Sequence, residues 1–141
     1  MEAGGIGKGD TLLVHSSVRS VGKVEGRADG ILDALAGTVK DGLLVLPTHT
    51  FPIVNRAQPV YDVLLSPSCV GVMPEVFRHR EKVLRSLHPT HSVAALGKDA
   101  ADFIRGEETT RTPFSYTGVY GRLLERNAWI MHIGCTLSSC T

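Results

Sequence analysis

Apolar runs along this 141-residue chain alternate with segments in which apolar residues recur every three or four positions. "TLLVHS" (Thr11 to Ser16) is a short apolar run that turns polar at its end, as a buried strand does where it reaches the rim of a sheet. "SVRSVGKVEGRADG" follows, punctuated by glycine, and reads as a loop. Ile31, Leu32, Leu35 and Val39 then recur at helical spacing, with Asp29 placed to cap the helix. Asp41-Gly42 breaks that pattern, and "LLVLP" (Leu43 to Pro47) predicts a second strand.

The stretch from Thr48 to Val70 holds Pro52, Pro59 and Pro67 and predicts a long irregular loop, a length that is usually functional. Beyond it, "GVMPEVFRHRE" predicts a helix that tolerates Pro74 in its first turn. "SVAALG" predicts a strand, "KDAADFIRGE" and "GVYGRLLERN" helices, and "AWIMHIG" (Ala128 to Gly134) a final strand. Strands that are nearly all apolar, alternating with helices, predict a layered α/β fold with the sheet covered on both faces. Ligands gather at the carboxyl ends of strands in such sheets. "HSSVRS", "PTHT" and "HPTHS" sit beside predicted strand ends, so they are expected to converge on one rim as a cleft.

Composition narrows the function classes. With 43% hydrophobic and 21% charged residues the chain is of ordinary globular character, and one domain over residues 1–141 is expected. A formal net charge of +1 provides no bulk attraction to nucleic acid or acidic membrane, so neither is an expected partner. No apolar run approaches the ~20 residues that span a bilayer. "MEAGGIGKGD" lacks the apolar core of a signal peptide, and the cytoplasm is the expected location. Cys69, Cys135 and Cys140 are odd in number and form no disulfide framework.

Three motifs carry possible chemistry. His88 and His91 in "HPTHS" stand three apart across Pro89, whereas zinc-binding histidine pairs on helices favour a spacing of four with a nearby acid, so no metal is assigned. An imidazole near neutral pKa suits a general base, but no partner residue is evident to orient either ring, and a loop whose side chains satisfy backbone groups fits equally. "HSSVRSVGKVEG" combines the hydroxyls of Ser16 and Ser17 with Arg19, Lys23 and Arg27, and its glycines allow close backbone approach. That suits a phosphate-bearing ligand, although the segment matches neither G-x-G-x-x-G nor the P-loop. Asp62, Glu75, Glu107 and Glu108 are acidic candidates for a cationic substrate, each expected first as a surface charge.

Taken together, "GDTLLVHSSVRSVGKVEGRADGILDAL", "GLLVLPTHT", "GVMPEVFRHREKVLRSLHPTHSVAALG" and "TPFSYTGVYGRLLERNAWIMHIGCTLSSCT" resemble the aminoglycoside 3-N-acetyltransferases, in order and from about Gly9 to Thr141. The resemblance implies a three-layer αβα sandwich with a mostly parallel or mixed sheet. It implies transfer of an acetyl group from acetyl-CoA, as cosubstrate, to the 3-amine of an aminoglycoside, and hence antibiotic resistance. It further implies cofactor contacts from His15, Ser16, Ser17, Val18 and Arg19, with His91, Ser92 and Val93 lining the same channel. Thr48, Thr50, Asp62 and Glu75 are the candidate walls of the drug site.

The resemblance also carries a departure. In the family the proposed base is a histidine beyond "LGVG-x-x-x-NT", and "IGCTLSSCT" matches only the start of that motif, with Cys140 where asparagine is common. The base is then expected about three residues past Thr141, so the chain is expected to be an incomplete acetyltransferase domain with no catalytic residue of its own. A non-catalytic coenzyme-A-binding homologue, or a family enzyme acting on another amine, stays open as an alternative.

Overall fold

The computed structural model describes residues 5–139, and Cys140 lies outside them. Five strands form one mixed sheet: β1 (Thr11–Ser16), β2 (Leu43–Pro47), β3 (Leu84–Arg85), β4 (Val93–Gly97) and β5 (Trp129–Ile133), in the spatial order β3-β4-β2-β1-β5. β1 runs parallel to both β2 and β5, while β4 runs antiparallel to β2 and to β3. The helices are α1 (Val18–Val21), α2 (Arg27–Thr38), α3 (Val72–Arg78), α4 (Ala100–Ile104) and α5 (Val119–Glu125).

Strand side chains alternate between the two faces, and each face has its own core. Leu12, Val14, Leu44, Leu46 and Ala94 pack under Leu32 and Leu35 of α2 and Met73 and Phe77 of α3. Leu13, Leu43, Val45, Val93 and Ala95 pack under Ala100 and Phe103 of α4 and Val119 and Leu123 of α5. This is the expected three-layer α/β arrangement, and it explains why the strands read as unbroken apolar runs. β5 is the exception, because Trp129 and Ile130 are about half exposed (45% and 54%) at the sheet's edge.

Several local expectations need correction. Asp29 does not cap α2; Gly26 does, in a left-handed conformation, and Asp29 lies in the first turn, where its charge still suits the helix dipole. The glycine-rich segment after β1 is not all loop, since Val18–Val21 makes one helical turn. β3 is too short to leave a periodic signal and is created by pairing with β4. Glu107 is not a surface charge: it is 1% exposed, and its Oε2 accepts the amide of Val119 at the start of α5 at 3.1 Å. Pro74 does sit in the first turn of α3, and residues 48–70 contain no helix or strand.

Candidate functional site

β1 and β2 run parallel, so their carboxyl ends open on the same rim, and antiparallel β4 brings its amino end there too. "HSSVRS", "PTHT" and "HPTHS" therefore converge as the strand pattern predicts. The link from β1 to β2 passes over one face through α2, whereas the link from β4 to β5 passes over the other through α4 and α5. The chain diverges around the end of β1, the position at which open α/β sheets form crevices.

A cavity of about 260 Å³ opens at that point, lined by His15, Ser16, Ser17, Pro47, Pro74 and Cys135. Ser16 Oγ is buried there without a hydrogen-bond partner among the described residues. Gly134 makes the close packing possible. Its φ is +66°, and a Cβ there would stand 2.6 Å from the carbonyl oxygen of Ser17. The amide of Ser17 in turn donates to the Ile133 carbonyl at 2.8 Å, docking the start of α1 on the end of β5. Beside this cavity lies a wider groove of about 690 Å³, with Val18, Val72 and Val76 among its apolar walls and Arg19, Lys23 and Arg27 along it.

Next to β2, the rim is organised by a buried arginine that the sequence pattern did not single out. Arg85 Nε donates to Thr48 Oγ1 (3.1 Å) and Ser92 Oγ (3.2 Å), and Nη2 donates to the Thr48 carbonyl (2.8 Å). Its Nη1 reaches the carbonyls of Ser66 (2.6 Å) and Val63 (3.2 Å), which fastens the long loop. Thr48 Oγ1 and Ser92 Oγ are also 3.0 Å apart. Thr48, Thr50, Ser92 and Val93 are all fully buried, and Thr50 Oγ1 donates to the Pro89 carbonyl. Their side chains build the rim from inside and do not face an open site.

The acidic candidates are also engaged. Glu75 Oε2 accepts Arg78 Nε and the amide of Ser68, and its Oε1 accepts Arg78 Nη2, each at 2.7 Å. The Arg78 guanidinium holds the Glu75 carboxyl down at about 2. Asp62 Oδ1 accepts the amides of Leu64 and Leu65, both at 2.8 Å, and these bonds lower its pKa.

The histidines divide into three roles. His88 Nδ1 accepts the amides of His91 (3.0 Å) and Thr90 (3.3 Å), which makes it a local brace for the turn. His15 on β1 stacks on His132 of β5 with ring centroids 5.3 Å apart and planes 13° from parallel. Burial, then the neighbouring imidazole, lowers the His15 pKa. His49 and His91 belong to an aromatic cluster on the α5 side of the rim. His49 Nε2 lies 2.9 Å from Tyr120 Oη, and burial followed by the surrounding imidazoles pushes its pKa down to about 3. The His49–Tyr120 pair was not read from the sequence; its only trace is a histidine between two threonines directly after a strand.

An α/β sandwich with a polar crevice over the end of its first strand defines the class, and the comparisons make it specific. The family model described as aminoglycoside 3-N-acetyltransferase matches residues 13–141, and the chain belongs to that family. A Bacillus subtilis (strain 168) relative described as SPbeta prophage-derived aminoglycoside N(3')-acetyltransferase-like protein YokD is 28% identical, over 100% of this chain and 59% of its own length. The crystal structure of YokD superposes with a TM-score of 0.85 at 27% identity, covering 99% of this chain and 60% of that one. Aminoglycoside N(3)-acetyltransferase VIII of Streptomyces fradiae is 28% identical over 100% of this chain and 55% of its own length. A structure of AAC-IIIb as a binary complex with CoASH superposes at a TM-score of 0.82 and 25% identity, covering 97% of this chain and 58% of that one. The chain thus spans somewhat more than half the length of the relatives it matches.

Proposed function

We propose that this chain supplies the coenzyme-binding side of an acetyltransferase that moves the acetyl group of acetyl-CoA to the 3-amine of an aminoglycoside in the cytoplasm, the reaction that confers resistance. The observation that carries the reading is the crevice at the end of β1, in a chain that belongs to this family over residues 13–141. The residues present fit the coenzyme. Arg19, Lys23 and Arg27 offer charge to its phosphates, and the valines of the same groove suit the pantetheine arm. The orphaned Ser16 Oγ, His15 and Ser17 line the cavity beyond. Val18 belongs to the groove wall, whereas Ser92 and Val93 are buried and, with His91, line neither the cavity nor the groove.

In the transfer, the amine nitrogen bonds to the thioester carbonyl carbon, the C–S bond breaks, and the coenzyme leaves as a thiol. The amine is protonated at neutral pH and must first give up a proton, which a neutral imidazole oriented by a carboxylate accepts. Backbone N–H donors stabilise the oxyanion. We assign no residue of this chain as that base. His79 stands 3.3 Å from Glu75 on the exposed end of α3, where Glu75 is already held by Arg78. A second reading stands alongside the first, in which the chain binds the coenzyme without turning it over.

The test is to mix the 141-residue chain with acetyl-CoA and an aminoglycoside and follow thiol release and coenzyme binding together. Binding without thiol release is expected, and the Arg19→Ala/Lys23→Ala double variant should weaken coenzyme binding at least about tenfold. Turnover would show that a base is present after all. A chain that ignores acetyl-CoA would overturn the reading itself.

A further inference from the structure

The opposite rim of the sheet, where β2 starts and β4 ends, carries another cavity of about 380 Å³ on the α2 side. Its floor is the edge of the core, with Val39 and Leu44 buried and Leu96 half-buried beside them. Three lysines stand around it, each from a different part of the chain. Lys40 follows α2, Lys82 lies in the turn between α3 and β3, and Lys98 comes just past β4. The crevice over the end of β1 lies at the other end of these strands, so the five residues of β2, about 16 Å of extended chain, separate the two.

The positive charge here is not balanced from within the protein. Lys40 Nζ pairs with Asp41 at 3.4 Å, on the exposed surface. Asp33 is committed to Arg80 and Asp99 to Arg126. Lys82 and Lys98 make no ion pair among the described residues. Lys82 is also held in the left-handed region, at φ +65°, which is uncommon for a residue with a long side chain. The Val83 amide closes its turn on the Arg80 carbonyl at 3.2 Å, and the Arg80 side chain ties the turn to α2 through Asp33. The turn thus keeps Lys82 at the cavity in spite of the backbone cost. Gly97 lets the strand ends close behind it, since a Cβ there would stand 2.3 Å from the Gly42 carbonyl oxygen.

We propose that this cavity is a second ligand site, which takes a small phosphate monoester with an apolar organic part. Two unpaired ammonium groups match a head group that carries about −1.5 to −2 charge at pH 7. Lysine serves such a group as a point charge, with no need for a planar fork. A carboxylate would leave one of the two lysines uncompensated. The aliphatic floor receives the alkyl or aryl body, and the volume lies within the roughly 300–1,000 Å³ of small-molecule sites. The site shares no residue with the groove of Arg19, Lys23 and Arg27, and it stands independently of the transferase reading.

Calorimetric titration of the whole chain with phenyl phosphate, inorganic phosphate and phenol tests this. Phenyl phosphate should bind one site per chain, at least about tenfold tighter than either of the others, because it alone engages both the lysines and the floor. The Lys82→Gln/Lys98→Gln double variant should weaken that binding about tenfold or more. Leu96→Asn should bring it down to the level of inorganic phosphate, whereas Arg19→Ala/Lys23→Ala should leave it unchanged. An unaltered urea midpoint in the lysine variant shows that the fold has survived. Phenyl phosphate affinity that falls at least as far with Arg19→Ala/Lys23→Ala as with Lys82→Gln/Lys98→Gln belongs to the other groove and overturns the proposal. Affinity no better than that of inorganic phosphate overturns it too, as does the absence of binding at millimolar concentration. Coenzyme A titrated separately reads the other groove, so either site can fail without the other.

Discussion

Arg85 shows how one side chain holds this rim together. It is buried, and its donors go to two hydroxyls and three carbonyls drawn from the end of β2, the start of β4 and the long loop. Tyr61 lies under its guanidinium at 5.3 Å and donates to the Ser86 carbonyl, which adds a second fastening to the same loop. Arg85→Met removes every donor and strands those acceptors in the interior, so a loss of about 3–5 kcal/mol in urea unfolding is expected. Arg85→Lys should recover only part of it, because an ammonium has three donors and cannot match the planar fork. His49 adds a pH dependence. Its pKa is about 3 when folded and near 6.5 when exposed, so it contributes stability above pH 6.5 that declines as pH falls toward 3. Unfolding curves between pH 7 and pH 4 should show that acid loss, and His49→Gln should flatten it.

Among the elements, α5 does more than cover the sheet. Val119 and Leu123 enter the core, while Tyr120 turns toward His49 at the rim. Its seat depends on Gly121, where a Cβ would stand 2.0 Å from the Tyr116 carbonyl oxygen, a backbone atom with no freedom to withdraw. Gly121→Ala should therefore displace the helix, at a cost of about 1–3 kcal/mol. Loss of the ring-current shifts that Tyr120 and Phe114 impose on each other would report the displacement by NMR. The buried Glu107 belongs to the same device, holding the Val119 amide from the preceding 3₁₀ turn (Glu107–Thr109). Burial raises its pKa, so its cost to folding grows as pH rises through the folded value. Nothing in "IRGEETTRTP" marks one glutamate as interior and the next as exposed, because burial here is set by where α5 lands.

At the scale of the sheet, β5 is an edge strand among the described residues, with Trp129 and Ile130 half exposed, and a shallow cavity of about 440 Å³ lies between Ile130 and α5. An apolar edge strand is a template for pairing with another chain. The isolated chain should associate with rising concentration in light scattering, and Ile130→Lys should suppress this without lowering coenzyme affinity. No helix among the described residues is long and apolar enough to cross a membrane.

Apolar periodicity and glycine punctuation determined the strands β1, β2, β4 and β5, the helices α2 to α5 and the two-faced burial, because those patterns are local and report which side of an element meets the core. They also determined that three polar clusters share one rim, since each follows or precedes a strand whose end is legible. Tertiary structure alone decided what those clusters contain. Thr48 and Ser92 turned inward because Arg85 gathers them, and Thr50 turned inward to the Pro89 carbonyl. The His49–Tyr120 pair joins residues 71 positions apart in sequence. Such choices depend on which distant donor reaches an acceptor first, and no residue's own type or spacing encodes that.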